Sequence, residues 1–158
     1  MNVIYLGLGA NLGDKRKCLT AALDCIEQLI GRIVSRSAFY DTMPWGFVSD
    51  SRFLNAVAKV ETRLSPDDVL RVTQQIEKKL GRREKSGASG YTDRPIDIDI
   101  LFFNNDVIHE KNLQVPHPLI EKRDFVLLPM VEIAPDFHHP MTHESMRTLL
   151  QTLLKNNP

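Results

Sequence analysis

The chain has 158 residues, 42% hydrophobic and 25% charged, with 20 acidic residues against 20 basic. That composition excludes a disordered polymer, and the length fits one domain over residues 1–158. A formal charge of zero removes any global electrostatic case for a nucleic-acid or membrane partner, so binding must be sought in local charge.

Residues Asn2 to Leu8 run as a strand does. No apolar stretch approaches the roughly 20 residues of a membrane span, and the opening MNVIYLGLGANLG lacks the basic segment and long apolar core of a signal peptide. A cytoplasmic location is the expectation. GANLGD then breaks the pattern, and Cys18, Leu19, Ala22, Leu23, Ile26 and Ile30 recur at helical spacing until Gly31 closes the helix. Cys18 and Cys25 lie about 10 Å apart along a helix axis, beyond the roughly 7 Å reach of a disulfide. They read as buried or half-buried thiols of a reducing compartment.

Ile33 to Tyr40 and Phe53 to Thr62 read as two strands around DTMPWGFVSDSR, where Pro44 and Gly46 deny regular structure. SPDD announces a second helix: Ser65 is the N-cap, Pro66 takes the first helical position, and Asp67 and Asp68 face the positive end of the macrodipole. The helix runs to Leu80 and stops at Gly81. After it come a glycine-rich loop, RREKSGASGYTD, and the strand RPIDIDILFF. The connection NNDVIHEKNLQVPHPLIEKRDF holds one hairpin strand and proline-bounded turns, and the pattern of FVLLPMVEIAP decides neither helix nor strand. Thr142 caps a last helix through Met146, Leu149, Leu150, Leu153 and Leu154. The order β-α-β-β-α-β with a C-terminal extension predicts an α+β fold, a ferredoxin-like antiparallel sheet with packed helices.

Alternation in RPIDIDILFF places Ile96, Ile98, Ile100 and Phe102 on one face and Asp97, Asp99, Leu101 and Phe103 on the other. The carboxylates point the same way with Cα atoms roughly 6.6–7 Å apart, a spacing at which they repel unless a cation intervenes. Hard oxygen donors suit Mg²⁺, which takes one or two carboxylates plus substrate phosphates. Isoleucines and the apolar continuation of the strand favour that reading over a solvated edge with incidental acids.

Arg82, Arg83, Lys85 and Arg94 bracket the glycine-rich loop immediately before these acids. Guanidinium forks match phosphate oxygens, and an anionic transition state needs such donors. Phe53 and Asn55 share a strand face, an aromatic plane beside an amide that both donates and accepts. A flat heterocycle with amide-like edges suits the pair, and core packing suits it equally. Trp45 and Phe125, taken alone, read as core or loop anchors. GLGANLG fails as a dinucleotide fingerprint because its third glycine is misplaced. His138, His139 and His143 read as surface histidines, since Pro140 breaks the helical spacing of the last two.

GANLGD, FYDTMPWG, FLNAV, IEKKLGR, DRPIDIDILFF and VPHP, in this order, resemble the 6-hydroxymethyl-7,8-dihydropterin pyrophosphokinases over nearly the whole chain. The resemblance implies a ferredoxin-like fold and transfer of diphosphate from ATP to the pterin hydroxymethyl group, in folate synthesis. It implies that Asp97 and Asp99 hold two Mg²⁺ ions and that Arg82 and Arg94 join them in catalysis. By the same resemblance Phe53 and Phe125 sandwich the pterin and Asn55 reads its edge, helped by backbone at Thr42, Pro44 and Trp45. Gln74, Glu77, Lys85, Tyr91, His117 and Arg123 fall on nucleotide-binding positions. ATP and a reduced pterin are the implied partners of a monomer, with no nucleic acid or membrane.

The chain departs from the family pattern in a few places. Ala10 stands where serine is common, Glu84 where a base is frequent, Tyr91 where the loop aromatic is often tryptophan, and Pro95 and Pro118 where other side chains occur. A nucleotidyltransferase with a D-x-D pair and a non-catalytic small-molecule-binding module on the same topology are the rival classes.

Overall fold

A computed structural model describes residues 1–42, 52–81 and 95–156. Pro44, Trp45, Arg82, Arg83, Glu84, Lys85, Tyr91 and Arg94 lie outside the described residues. At the centre β1 (Asn2–Ala10) pairs antiparallel with β4 (Phe53–Thr62). β2 (Gly31–Arg36) flanks β4, and β5 (Asp97–Phe103) flanks β1, giving the order β2-β4-β1-β5 with every neighbour antiparallel. Two helices enter the connections of this four-strand path, α1 (Lys15–Leu29) before β2 and α2 (Pro66–Lys79) before β5. The result is the expected ferredoxin-like α+β arrangement.

Helices cover both faces. Leu19, Ala22, Leu23 and Ile26 of α1 and Val69, Val72 and Ile76 of α2 pack on Ile4, Leu6, Leu8, Ala58 and Val60 of the sheet. On the other face, α3 (Asp124–Ile133) and α4 (Met146–Asn156) bring Val126, Leu127, Met130, Met146 and Leu149 against Tyr5, Val57, Leu101 and Phe102. Each such aliphatic or aromatic side chain contributes about 1.5–3 kcal/mol when fully buried. Among the described residues no helix is long and apolar enough to cross a membrane.

Ser65 caps α2 as its sequence predicts, its side chain accepting from the Asp68 N–H at 3.2 Å. The segment FVLLPMVEIAP is helical through Ile133, with Pro129 inside the helix. Its nearly continuous apolarity hides the 3.6-residue period. Two short strands, β6 (Ile108–Glu110) and β7 (Leu113–Val115), make the hairpin where one was expected. α4 is capped by Ser145, whose Oγ accepts from the Thr148 N–H at 3.1 Å, and not by Thr142, which binds the Glu144 N–H instead.

Three further differences bear on the site. The strand expected over Ile33 to Tyr40 leaves the ladder after Arg36 and resumes as β3 (Tyr40–Thr42) on the same edge of β4. Ser37 bridges the gap: its N–H donates to Val57 O at 2.9 Å and its Oγ accepts from Val57 N–H at 3.0 Å. In β5, a bulge skips Leu101, because Tyr5 pairs with Phe102 and Leu6 with Ile100. Phe102 therefore joins Leu101 on the face of the acids, and Phe103 joins the isoleucines, the reverse of simple alternation. Finally, His139 is not a surface histidine: it is only 5% exposed and stands edge-on to Phe102 at 5.6 Å between ring centroids.

Candidate active site

The face of the sheet that carries the acids is bald at its centre. Gly9 pairs with Asp97 on one side and Asn55 on the other, and Gly7 pairs with Asp99 and Val57. A Cβ at Gly9 would stand 2.8 Å from Asn55 Nδ2, and one at Gly7 would stand 3.3 Å from Leu101 Cδ1. Two glycines thus make a floor, with the carboxylates along one wall and the Phe53–Asn55 pair along the other. In the sequence these glycines read only as a failed dinucleotide fingerprint. Their isolation inside a strand signals close backbone approach, and that is the signal that finds them.

The amide wall is fixed from beside it. Tyr40 pairs with Asn55 and Thr42 with Phe53 in the β3–β4 ladder. Thr42 Oγ1 donates to Asn55 Oδ1 at 2.5 Å, while Asn55 Nδ2 lies 3.5 Å from Leu8 O. Asn55 is buried, so these contacts set which end of its amide faces the opening. Phe125, in the first turn of α3, packs on the apolar cluster of the same face, and the Arg123 guanidinium lies over its ring at 5.6 Å.

On the acidic wall, His117 draws the charges together. Its backbone N–H donates to Leu101 O at 3.0 Å, which lashes it to β5 just past the acids. Its Nδ1 lies 2.9 Å from Pro118 O, which can only accept, so Nδ1 carries a proton. Nε2 then faces Asp99 Oδ2 at 3.9 Å. Burial lowers the His117 pKa and Arg123 lowers it further, against the opposing pull of the Pro118 carbonyl and Asp97. A neutral ring would present a lone pair to a carboxylate, an arrangement that calls for positive charge between them.

Glu77 supports the acidic strand from below. It is buried, and its Oε2 accepts the N–H of Ile98, the residue between the two aspartates, at 2.7 Å. Gln74, three residues earlier on the same side of α2, is exposed and lines a groove of about 430 Å³ between α2 and the β6–β7 hairpin. Asp67, Leu70, Arg71, Glu110, Lys111, Asn112 and Leu113 complete its walls. Thus Thr42, Phe53, Asn55, Asp97, Asp99, His117, Arg123 and Phe125 share one face, while Gln74 lines a groove on α2, the helix that packs on the other face.

Among the described residues, no group of three or more His, Cys, Asp or Glu side chains converges to hold a metal ion. Two half-exposed carboxylates with a floor free of side chains fit a hard cation that takes its other ligands from water and phosphate oxygens. Cys18 and Cys25 are both free thiols, as expected, and Cys18 Sγ donates to Pro95 O at 3.1 Å, just ahead of Asp97.

A model of the 7,8-dihydro-6-hydroxymethylpterin-pyrophosphokinase family matches residues 5–135. A 2-amino-4-hydroxy-6-hydroxymethyldihydropteridine pyrophosphokinase of Porphyromonas gingivalis is 46% identical over 139 residues, covering 87% of this chain and 95% of the relative. One of the same name from Aquifex aeolicus is 39% identical over 147 residues, covering 93% of this chain and 89% of the relative. Among solved structures, the wild-type Plasmodium falciparum HPPK-DHPS superposes with a TM-score of 0.81 at 20% identity, over 98% of this chain and 45% of that one. At that identity the likeness concerns the fold, and this chain spans under half of the solved protein. On the family match and the two relatives, the chain belongs to the 7,8-dihydro-6-hydroxymethylpterin-pyrophosphokinase family.

Proposed function

We propose that this chain, acting as one domain over residues 1–158, transfers a diphosphate from ATP to the hydroxymethyl group of 6-hydroxymethyl-7,8-dihydropterin in folate biosynthesis. The pterin lies on the Gly9 side of the floor, stacked between Phe53 and Phe125, with its amide edge read by Asn55 and by backbone from Thr42 through Pro44 to Trp45. ATP enters from the α2 groove, its nucleoside against Gln74 and its phosphates toward Asp97, Asp99, His117 and Arg123. Arg82 and Arg94 serve in catalysis and Lys85 and Tyr91 in nucleotide binding; all four lie outside the described residues. Glu77 acts through Ile98, by fixing the strand between the two acids.

The observation that carries this reading is that Asn55 and Asp97 are both register partners of Gly9. The acceptor wall and the phosphate wall are therefore one strand spacing apart on either side of a residue without a side chain, about 4.8 Å each way. An acceptor held on one wall is brought against a phosphate held on the other. Such positioning, with charge neutralisation, supplies most of the catalysis of phosphoryl transfer.

The residues do the following work. Asn55 and the two rings orient the hydroxymethyl oxygen in line with the β-phosphorus. A bond forms between them as the bond from that phosphorus to the α,β-bridging oxygen breaks, so AMP leaves and the β,γ pair is transferred. The hydroxyl proton passes to solvent. Arg82 and Arg94 meet the charge that builds on the bridging oxygen. Asp97 and Asp99 would hold Mg²⁺, two ions by family resemblance, which when bound neutralises phosphate charge. A monomer in the cytoplasm completes the reading.

Incubating the protein with ATP, Mg²⁺ and the reduced pterin tests it. Equal amounts of AMP and pterin diphosphate are expected. Free pyrophosphate with an adenylylated acceptor would mark a nucleotidyltransferase, and no product at all a binding module.

A further inference from the structure

α3 touches the site at both ends, although the function above uses only its first turn. Near its C-terminal end, Glu132 reaches back to the gap between β2 and β3. Its carboxylate accepts the Ala38 N–H through both oxygens, at 3.0 Å and 3.2 Å, and Oε1 also accepts the Tyr40 hydroxyl at 2.7 Å. Ala38 lies where the edge strand has left its ladder, so Glu132 supplies the acceptor that the sheet does not. The pull on the phenol is strong: the hydrogen bond to Glu132 is the first cause of a Tyr40 pKa pushed up to about 12.

Two residues on from Tyr40 stands Thr42, whose hydroxyl grips Asn55 Oδ1, and Tyr40 itself is the register partner of Asn55. β3 has only three residues, and a strand of that length has little of its own to hold its direction. The path therefore runs from Glu132 to Tyr40, along three residues of backbone to Thr42, and across to the amide. Phe125 sits at the opposite end of the same helix, ten residues long, so α3 also sets the distance between the ring and the amide wall.

We propose that Glu132 and Tyr40 are positioning residues for the pterin: a clamp from α3 that aims β3, and through Thr42 the Asn55 amide, at the substrate's edge. The inference rests on the assignment of Asn55 to the pterin. Glu132 is exposed, so water competes for its hydrogen bonds and their loss costs the fold little. What they determine is the direction of β3.

The test uses Tyr40→Phe, Glu132→Ala and the double variant, with KM for pterin, KM for ATP, kcat and a thermal melt measured on each. Tyr40→Phe is expected to raise the pterin KM about 3- to 10-fold, the loss of one positioned hydrogen bond. The KM for ATP should stay within about twofold and the melt should barely move. Glu132→Ala, which also releases the Ala38 N–H, should raise the pterin KM at least as much, and the double variant no more than Glu132→Ala alone, since Tyr40 acts through the same carboxylate. Equal changes in both KM values, a pterin KM that does not move, or a lowered melt alone would overturn the proposal. Asn55→Ala separates the two levels of inference. If it spares pterin binding, the assignment of the amide is wrong and the clamp falls with it; if it abolishes pterin binding while Tyr40→Phe changes nothing, the clamp alone is wrong.

Discussion

Gly9 and Asn55 face each other across the central ladder with no room for a methyl group between them, since a Cβ at Gly9 would come within 2.8 Å of Asn55 Nδ2. Among the described residues the amide is the group that must give way, because Gly9 itself lies within regular antiparallel ladders on both sides. Gly9→Ala should therefore leave the fold intact and turn Asn55 off its contacts with Thr42 and Leu8. Pterin affinity should fall about tenfold or more, with ATP affinity unchanged. Calorimetric titration with each ligand checks this, and undiminished pterin binding would show that the amide does not read the substrate.

Removing either acid should cost turnover without costing stability. Asp97→Ala and Asp99→Ala relieve repulsion between neighbouring carboxylates in the metal-free protein, yet on the proposed function each removes a donor for the cation beside the phosphates. Turnover should drop by about 10²–10³-fold or more, and chelation of the wild-type enzyme should do the same, reversed by added Mg²⁺. A variant that keeps near-normal turnover would exclude its aspartate from the metal site.

Glu77 calls for the opposite pattern. Its carboxylate answers the Ile98 N–H in a buried setting, and Glu77→Ala would leave that donor unanswered at a cost of about 1–3 kcal/mol. The melting temperature should fall by about 2–10 °C, and the Ile98 amide should exchange faster with deuterium. Glu77→Gln keeps an acceptor and should fall less. Equal melts for all forms would remove Glu77 as the support of the acidic strand.

His139 gives the fold a pH dependence whose sign is determined by its environment. Its Nδ1 faces the N–H groups of Met141 and Thr142 at 3.1 Å and 3.4 Å, so it must remain unprotonated. Burial lowers the pKa from its ordinary 6.5, with Glu121 opposing and His143 assisting. The unfolded chain thus binds a proton first as pH falls, so the stabilisation is fully present above about pH 6.5 and is lost below it, down through the folded pKa. The melting temperature should decline from pH 7 toward pH 5. His139→Asn, whose amide oxygen can accept where Nδ1 does, should flatten that decline; an unchanged slope would place its origin elsewhere, His117 being the other histidine with a lowered pKa.

Most of the architecture was readable because pattern and chemistry agreed. β4 begins at Phe53 and ends at Thr62 as its alternation predicts, and Ser65 caps α2 as its type predicts. The acids and the Phe53–Asn55 pair were found for the same reason, polar groups at positions where the strand period is unmistakable. What escaped depended on partners distant in sequence. The skipped residue in β5 is defined by pairing with β1, nearly a hundred residues away, and no local signal marks it. Ser37 takes its place because of where Val57 stands, whereas Ser145 caps α4 through a local contact with the Thr148 N–H. His139 is buried by Phe102, and α3 has too little polarity to show its period. The clamp of Glu132 on Tyr40 joins residues that only the folded chain brings together.

The skipped Leu101 is also one residue more than the ladder with β1 needs. From Asp97 to Ile100 the strand keeps its acids on one face, and from Phe102 onward its parity is inverted, so the aspartates and Phe102 share a layer although they differ in odd and even position. Point substitutions at Leu101 test only packing over Gly7. Deleting Leu101 would remove the bulge: Ile100 and Phe102 would follow one another opposite Leu6 and Tyr5, so plain alternation would keep the aspartates and Phe102 in one layer, with Phe102 still against Tyr5 and Phe137. What the extra residue adds is its own side chain over Gly7, so the loss of Leu101 is a loss of packing there and not of strand parity.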